Sequence, residues 1–368
     1  MIKTIGFPGR YIQGPGAINY LPQLLKELSA SAPVIVMDDI VLSSEGKKIL
    51  TPLKQAGIEP KHLRFPGECT AETIATLARE IDTCTDDIII GFGGGKTIDT
   101  AKGLSKAHGL KLIIIPTIAS NDSPTSRLIV LYDAQHRVAG VEMLIRNPDV
   151  VLVDSEIIAR APARFFTAGL GDALSKKFEA TQCYLAGGKN FFGTPSLSTA
   201  RLLAEQCYET ILEFGIPALE RVKNVGTPDE SIERAIEAMV LLSGLGFESG
   251  GLSLSHALTR GFSAHPEMRH FLHGELVGFG SIVQLFAEDR PADQVLAHAD
   301  FCHRIDLPVT LSELGVKHIS QAEIIEMARL TTTAPYIDNI YPPADSERIA
   351  DCICRADALG LKILKTGG

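Results

Sequence analysis

The chain has 368 residues, 45% hydrophobic and 21% charged, a globular composition that excludes a disordered protein. Its formal charge is −9, and its lysines and arginines are scattered singly or in pairs such as Lys47-Lys48 and Lys176-Lys177. That distribution excludes an extended nucleic-acid surface, which needs clustered positive charge.

At roughly 100–200 residues per domain, the length accommodates about two domains. The opening segment, Met1 to Gly9, has no apolar stretch of the kind a secretory signal needs. No run of about 18 apolar residues marks a membrane span. The seven cysteines form no Cys-x-x-Cys pair and read as reduced, buried thiols of a cytoplasmic protein.

In chain order, Val34-Ile35-Val36-Met37 is a short apolar run closed by Asp38 and Asp39. Ser44 to Ala56 is expected to form a helix ended by Gly57. Glu72 to Ile81 places Ile74, Leu77 and Ile81 on one helical face. Ile88-Ile89-Ile90 leads into Gly91-Phe92-Gly93-Gly94-Gly95-Lys96-Thr97, which precedes a helix over Ile98 to Ala107. Leu112 to Ile115 is a further apolar run, stopped by Pro116. Strands apolar at consecutive positions are buried on both faces, and their alternation with helices predicts a doubly wound α/β domain.

Leu128 to Tyr132 and Val138 to Met143 flank the polar segment Asp133 to Arg137, as the arms of a hairpin do. Val150 to Val153 is a last strand, ending at Asp154. Ala161-Pro162 marks a boundary, beyond which β-branched runs nearly vanish. Helical patterns take over, at Leu202 to Phe214, Ser231 to Ser243 and Ile319 to Leu330. The expected division is an α/β half over residues 1–161 and an all-helical half over 162–368.

The glycine-rich turn follows a buried strand and opens a helix. Glycines there let the backbone approach a ligand closely, and the free N–H groups at the helix start suit a phosphate. Its spacing is neither the Rossmann G-x-G-x-x-G nor the P-loop pattern, so alone it does not choose between a dinucleotide and a phosphorylated substrate. Asp38, at the end of the first apolar run, is placed to accept ribose hydroxyls and to repel a 2′-phosphate, favouring NAD; Asp39 competes for that role.

Three segments of the helical half gather metal-ligand types among glycines. Gly169-Leu170-Gly171-Asp172-Ala173-Leu174 places Asp172 at a helix start, and Gly250 to Leu258 carries His256 on an apolar helical stretch. Phe271-Leu272-His273-Gly274-Glu275 carries His273 on another. One Asp and two His form a set fit for Zn²⁺ or Fe²⁺, with a coordination position left for catalysis. His270, three residues before His273 on the same helix face, and His265 are competing ligands at this level.

Taken together and in this order, these segments resemble the glycerol dehydrogenases of the group III (iron-containing) alcohol dehydrogenase superfamily. The resemblance runs over nearly the whole chain. It includes Pro8 to Gly14, Gly67-Glu68-Cys69, Gly93 to Lys102, Pro116 to Ser120, Gly171 to Leu174, Phe247 to Leu252 and His273-Gly274-Glu275.

The resemblance implies an α/β dinucleotide-binding domain followed by an all-α metal-binding domain, the dehydroquinate synthase-like fold. It implies metal ligands at Asp172, His256 and His273, with zinc first and Fe²⁺ the superfamily alternative. Its nucleotide contacts fall on Asp38, Gly94, Gly95, Lys96, Thr97, Thr117, Ser120, Ser126, Leu128 and Tyr132, and Asp122 matches a position near the substrate. The implied reaction is hydride transfer from a small polyol, glycerol foremost, to NAD in a cytoplasmic homo-oligomer, often an octamer. Another diol, a hydroxyketone or a 2-hydroxy acid is the alternative substrate, and a dehydroquinate-synthase-like lyase the alternative reaction.

Asn121 and Arg127 depart from the family's Ser-Thr-Asp-Ala-Pro-Cys-Ser-Ala pattern, here Ser120 to Arg127. Arg127 is left three roles: pairing with an acidic side chain, touching cofactor phosphates, or favouring a substrate with a carboxylate.

Overall fold

The computed structural model describes residues 2–133 and 137–366. The first part runs β1 (Tyr11–Gly14), α1 (Leu21–Glu27), β2 (Pro33–Met37), α2 (Asp39–Gln55), β3 (Lys61–Arg64) and α3 (Ala71–Ala78). It continues through β4 (Ile88–Gly93), α4 (Gly95–His108), β5 (Lys111–Pro116), β6 (Leu128–Tyr132), β7 (Val138–Met143), β8 (Val150–Asp154) and α5 (Ser155–Arg160).

Every element described after Asp154 is helical. These are α6 (Ala163–Leu174), α7 (Lys176–Leu185), α8 (Ser198–Asn224), α9 (Glu230–Ile236) and α10 (Ser243–Gly250). They are followed by α11 (Leu254–Ala264), α12 (His273–Ala287), α13 (Ala292–Arg304), α14 (Gln321–Thr331) and α15 (Ser346–Thr366). Among the described residues no single helix is long and apolar enough to cross a membrane.

The apolar runs form one parallel sheet in the order β1-β8-β5-β4-β2-β3. The chain steps from β2 to β3 in one direction and from β4 through β5 to β8 in the other. A crevice therefore opens at the carboxyl ends of β2 and β4, where open α/β sheets bind ligands. Alternate residues face opposite sides. Ile35, Met37, Ile90 and Phe92 pack with α1 and α2, whereas Val34, Val36, Ile89 and Ile114 join a core that continues into the helical part. The two edge strands, Tyr11–Gly14 and Lys61–Arg64, have no apolar run to betray them.

The hairpin stands outside this sheet as antiparallel β6 and β7. Of its expected polar turn, residues 134–136 lie outside the described residues.

Several helix ends differ from expectation. The Asp38 carboxylate accepts Val41 N–H at 2.8 Å, capping α2 so that it starts at Asp39, well before Ser44. α3 stops at Ala78, before Ile81, and α4 begins inside the glycine turn at Gly95. Leu202 to Phe214 is the middle of the longer α8, and Ser231 to Ser243 passes through a π-helical turn, Glu237–Leu242, between α9 and α10.

Asp172 lies near the carboxyl end of α6, a correction to the helix start expected for it. The glycines around it permit close packing instead. A Cβ on Gly169 would fall 1.8 Å from the Ala119 carbonyl oxygen, and one on Gly171 would fall 2.4 Å from that of Gly274. A Cβ on Gly274 would in turn fall 1.7 Å from the Ala168 carbonyl oxygen. Backbone cannot swing aside as a side chain can, so G274A should destabilise the protein by about 1–3 kcal/mol or more. A lowered urea midpoint would show this, and an unchanged midpoint would mean that α6 and α12 separate easily.

Candidate active site

The glycine turn leaves β4 and enters α4 with Gly94 as a cap that has no side chain. The first N–H groups of such a helix have no intrahelical partner and point into the crevice with the positive end of the dipole. Thr117 N–H bonds to the Gly93 carbonyl at 3.0 Å, which brings the ends of β4 and β5 side by side. Lys96 lies across the turn, its Nζ 2.7 Å from Glu68 Oε2 and 4.7 Å from the centre of the Tyr132 ring.

The other nucleotide candidates are placed unequally. Asp38 follows the neighbouring strand β2, and one of its oxygens is taken by the cap of α2. Asp39 pairs with Arg64, whose Nε lies 2.9 Å from both of its oxygens, at an exposed position. Ser120 is half-buried in the loop after β5. Ser126 is buried, with its hydroxyl between the Ser123 carbonyl and Lys102 Nζ, and the Leu128 carbonyl accepts from the same Lys102 at 2.7 Å. These last two residues hold the Lys102 ammonium of α4.

The loop after β5 joins this turn to the helical part. Asn121 packs over the turn, close enough that a Cβ on Gly95 would meet its Nδ2 at 2.8 Å. The next residue, Asp122, accepts a hydrogen bond from Ser243 Oγ at 3.0 Å and pairs with Lys176 Nζ at 3.1 Å. Contacts thus run from Gly95 through Asn121 and Asp122 to Lys176.

Asp172, His256 and His273 meet beyond Asp122. Each offers one ligand atom, and these atoms all lie within 4.8 Å of one another. Asp172 is buried on α6 and His256 on the first turn of α11, whereas His273 opens α12 with its side chain 46% exposed. Asp172 Oδ1 lies 3.2 Å from His256 Nε2 and 3.9 Å from His273 Nε2. Its other oxygen, Oδ2, is buried with no hydrogen-bond partner among the described residues, a costly state for a carboxylate oxygen. An oxygen and two imidazole nitrogens beside an orphaned lone pair fit a divalent metal ion. His265 and His270 stand apart, His265 near Glu323 and His270 beside Arg269.

Two residues complete the cluster that sequence reasoning did not single out. Glu179 on α7 accepts from His256 Nδ1 at 2.5 Å and also from the backbone N–H groups of Ser253 and His256. It holds the ring with Nε2 towards Asp172 and His273. Lys176, fully buried at the start of α7, places Nζ 2.6 Å from Asp172 Oδ1 and 3.1 Å from His256 Nε2. A signal for them exists, since Asp172, Lys176 and Glu179 share a helical face and Ser175 keeps helical angles between α6 and α7.

Electrostatics follow from this burial. Burial raises the pKa of Asp122, and repulsion from Asp172 raises it further, against the pull of Lys176. Burial also acts to raise Asp172, but Lys176 and the two histidines outweigh it and hold that carboxyl well below its ordinary range. Desolvation opposes the Lys176 charge, yet Asp122, Asp172 and Glu179 together overcome it and push the ammonium up. Burial likewise opposes charge on His256, as does Lys176, and Glu179 together with Asp172 outweighs them, making the imidazole more basic than usual. Of the two carboxyls that share the ammonium, Asp122 is the readier to hold a proton.

Arg127 points elsewhere. Its backbone N–H and Nε both donate to Glu248 Oε1, at 3.0 and 2.9 Å, and its guanidinium lies 3.7 Å from the Phe192 ring centre. Asn147 holds the other Glu248 oxygen at 2.6 Å. Of the three roles left to Arg127, pairing with an acidic side chain is the one it fills.

The sequence pattern described as "Iron-containing alcohol dehydrogenase" matches residues 8–155. The chain is 39% identical to the glycerol dehydrogenase of Thermotoga maritima over 98% of both chains, and 39% identical to that of Citrobacter freundii over 98% of both. The crystal structure of glycerol dehydrogenase from Schizosaccharomyces pombe superposes with a TM-score of 0.95 at 32% identity, covering 100% of this chain and 93% of that one. Sequence, fold and cluster agree, and the chain belongs to the glycerol dehydrogenases of the iron-containing alcohol dehydrogenase family.

Proposed function

We propose that this protein oxidises a small polyol, glycerol foremost, with NAD as hydride acceptor and a divalent metal, zinc ahead of iron, held by Asp172, His256 and His273. The observation that carries the reading is the run of contacts by which Asn121, Asp122 and Lys176 connect the Gly94–Gly95 turn to the cluster of those three ligands. Residues 1–161 would serve the nucleotide and 162–368 the metal, within a cytoplasmic homo-oligomer.

When bound, the metal supplies a Lewis acid that lowers the pKa of the substrate hydroxyl, and the nicotinamide receives the hydride. The chain's own residues do the rest. Gly94, Gly95, Lys96 and Thr97 receive the pyrophosphate at the start of α4, with no side chain before Lys96 to obstruct it. Asp38 presents its remaining oxygen lone pairs to ribose. Thr117, Ser120 and Tyr132 line the walls, and Ser126 and Leu128 keep Lys102 in place beneath. Glu179 fixes the His256 tautomer, a positioning role, because a ligating nitrogen needs its ring partner held. Asp122, whose carboxyl burial makes a weaker acid, takes up the proton that leaves the hydroxyl.

NADH should form when glycerol or 1,2-propanediol is added with NAD to the metal-loaded protein. Absence of turnover with any diol would overturn the reading. H256A and H273A should each lose bound metal, measured by elemental analysis, and about a hundredfold or more of kcat/KM. Retention of metal with full activity would remove those residues from the ligand set. D38A should raise the KM for NAD by about tenfold and narrow the preference over NADP. An unchanged ratio of kcat/KM for the two cofactors would mean that another group reads the ribose.

A further inference from the structure

Lys176 does something no ligand set requires. Its ammonium has three N–H groups and finds three acceptors, Asp172 Oδ1 at 2.6 Å, His256 Nε2 at 3.1 Å and Asp122 Oδ2 at 3.1 Å. Two of those atoms belong to residues that would hold the metal. The side chain is fully buried. A lysine inside a protein is stable as a cation only with such partners.

The contest is over one lone pair. Glu179 has only acceptor oxygens, so His256 Nδ1 donates to it and carries the ring proton. Neutral imidazole in that tautomer has a single lone pair in the ring plane, at Nε2. An imidazolium would instead set two donors facing each other at 3.1 Å. The Nε2 lone pair can accept from Lys176 or bind a metal ion, and not both. Asp172 faces no such choice, because its Oδ2 is free while Oδ1 keeps the ammonium.

We infer that Lys176 is an internal cation that competes with the metal for His256 Nε2, so that metal loading requires Nζ to leave the imidazole and remain on Asp122 and Asp172. The inference rests on the metal reading given above. It makes Lys176 a determinant of metal affinity and of the stability of the metal-free protein. Without the ion, the ammonium compensates two buried carboxylates. With the ion bound, it lies beside a second positive charge and weakens the hold on it.

The test is zinc competition titration against a chromogenic chelator, on metal-stripped wild type, K176M, K176Q and H273A, with thermal melts before and after zinc. Methionine keeps the lysine chain as far as Cε and lacks the ammonium, and glutamine is too short to reach Nε2. Both variants should bind zinc about tenfold or more tightly than wild type, the order set by loss of one charge-assisted hydrogen bond. Their metal-free melting temperatures should fall, and zinc should raise them by more than it raises that of the wild type. K176Q decides the matter if metal-free K176M does not fold. H273A keeps the Lys176–His256 contact and loses a ligand, so it separates the two ideas. If H273A loses zinc but wild type and both Lys176 variants bind it equally, the competition is overturned and the metal reading stands. If H273A binds zinc as wild type does, the metal lies elsewhere and both fall.

Discussion

The site depends on bare backbone meeting backbone where α6 passes between the loop after β5 and the start of α12. Gly169 lies against the Ala119 carbonyl, Gly171 against that of Gly274, and Gly274 against that of Ala168. Any side chain at these points would hold the helices apart by the thickness of a methyl group, and a metal ligand set tolerates far less displacement than that. The close approach brings Asp172 of α6 and His273 of α12 together. It also lowers the cluster to within reach of Asp122, which hangs from the nucleotide sheet. Packing of small residues thereby becomes the geometry of the chemistry.

Bringing three carboxylates into a dry interior creates a charge problem, and the arrangement solves it locally. Asp122 and Asp172 are opposed by the Lys176 ammonium, and Glu179 is met by the N–H groups that His256 and Ser253 donate. Each partner depends on the others, because an isolated buried charge is far more costly than a paired one. The hydrogen bond from His256 Nδ1 to Glu179 orients the ring, and the Lys176 ammonium then occupies the remaining face of the cluster. Glu248 makes a similar local balance on the far side of α10, where Arg127 and Asn147 tie it to the strands near the hairpin. That clamp accounts for Arg127 in structural terms.

Much of this architecture is legible in the amino-acid sequence. The strands stand out because burial on both faces of a parallel sheet removes polar residues from consecutive positions, as at Val34–Met37 and Ile88–Ile90. The glycine turn stands out because close approach to a ligand admits few other residues. Differences cluster at helix ends. The start of α2 escapes the sequence because Asp38 reads as a ribose ligand and not also as a helix cap, and one side chain does the second job in this fold. The helix start expected at Asp172 fails because its glycines serve packing across the helix.

The order of the elements and the kinds of ligand available are properties of neighbours along the chain, written as periodicity and composition. Family likeness adds which of those ligands group together. Which groups touch is settled only by folding. Lys176 and His256 are separated by 80 positions and Arg127 and Glu248 by 121, and no local pattern records such pairs. Burial then turns those contacts into shifted acidities, since the field of one charge on another depends on distance and on the exclusion of water. Lys176 is the clearest case: an ordinary basic residue in the sequence, and in the fold a buried cation between Asp122, Asp172 and His256.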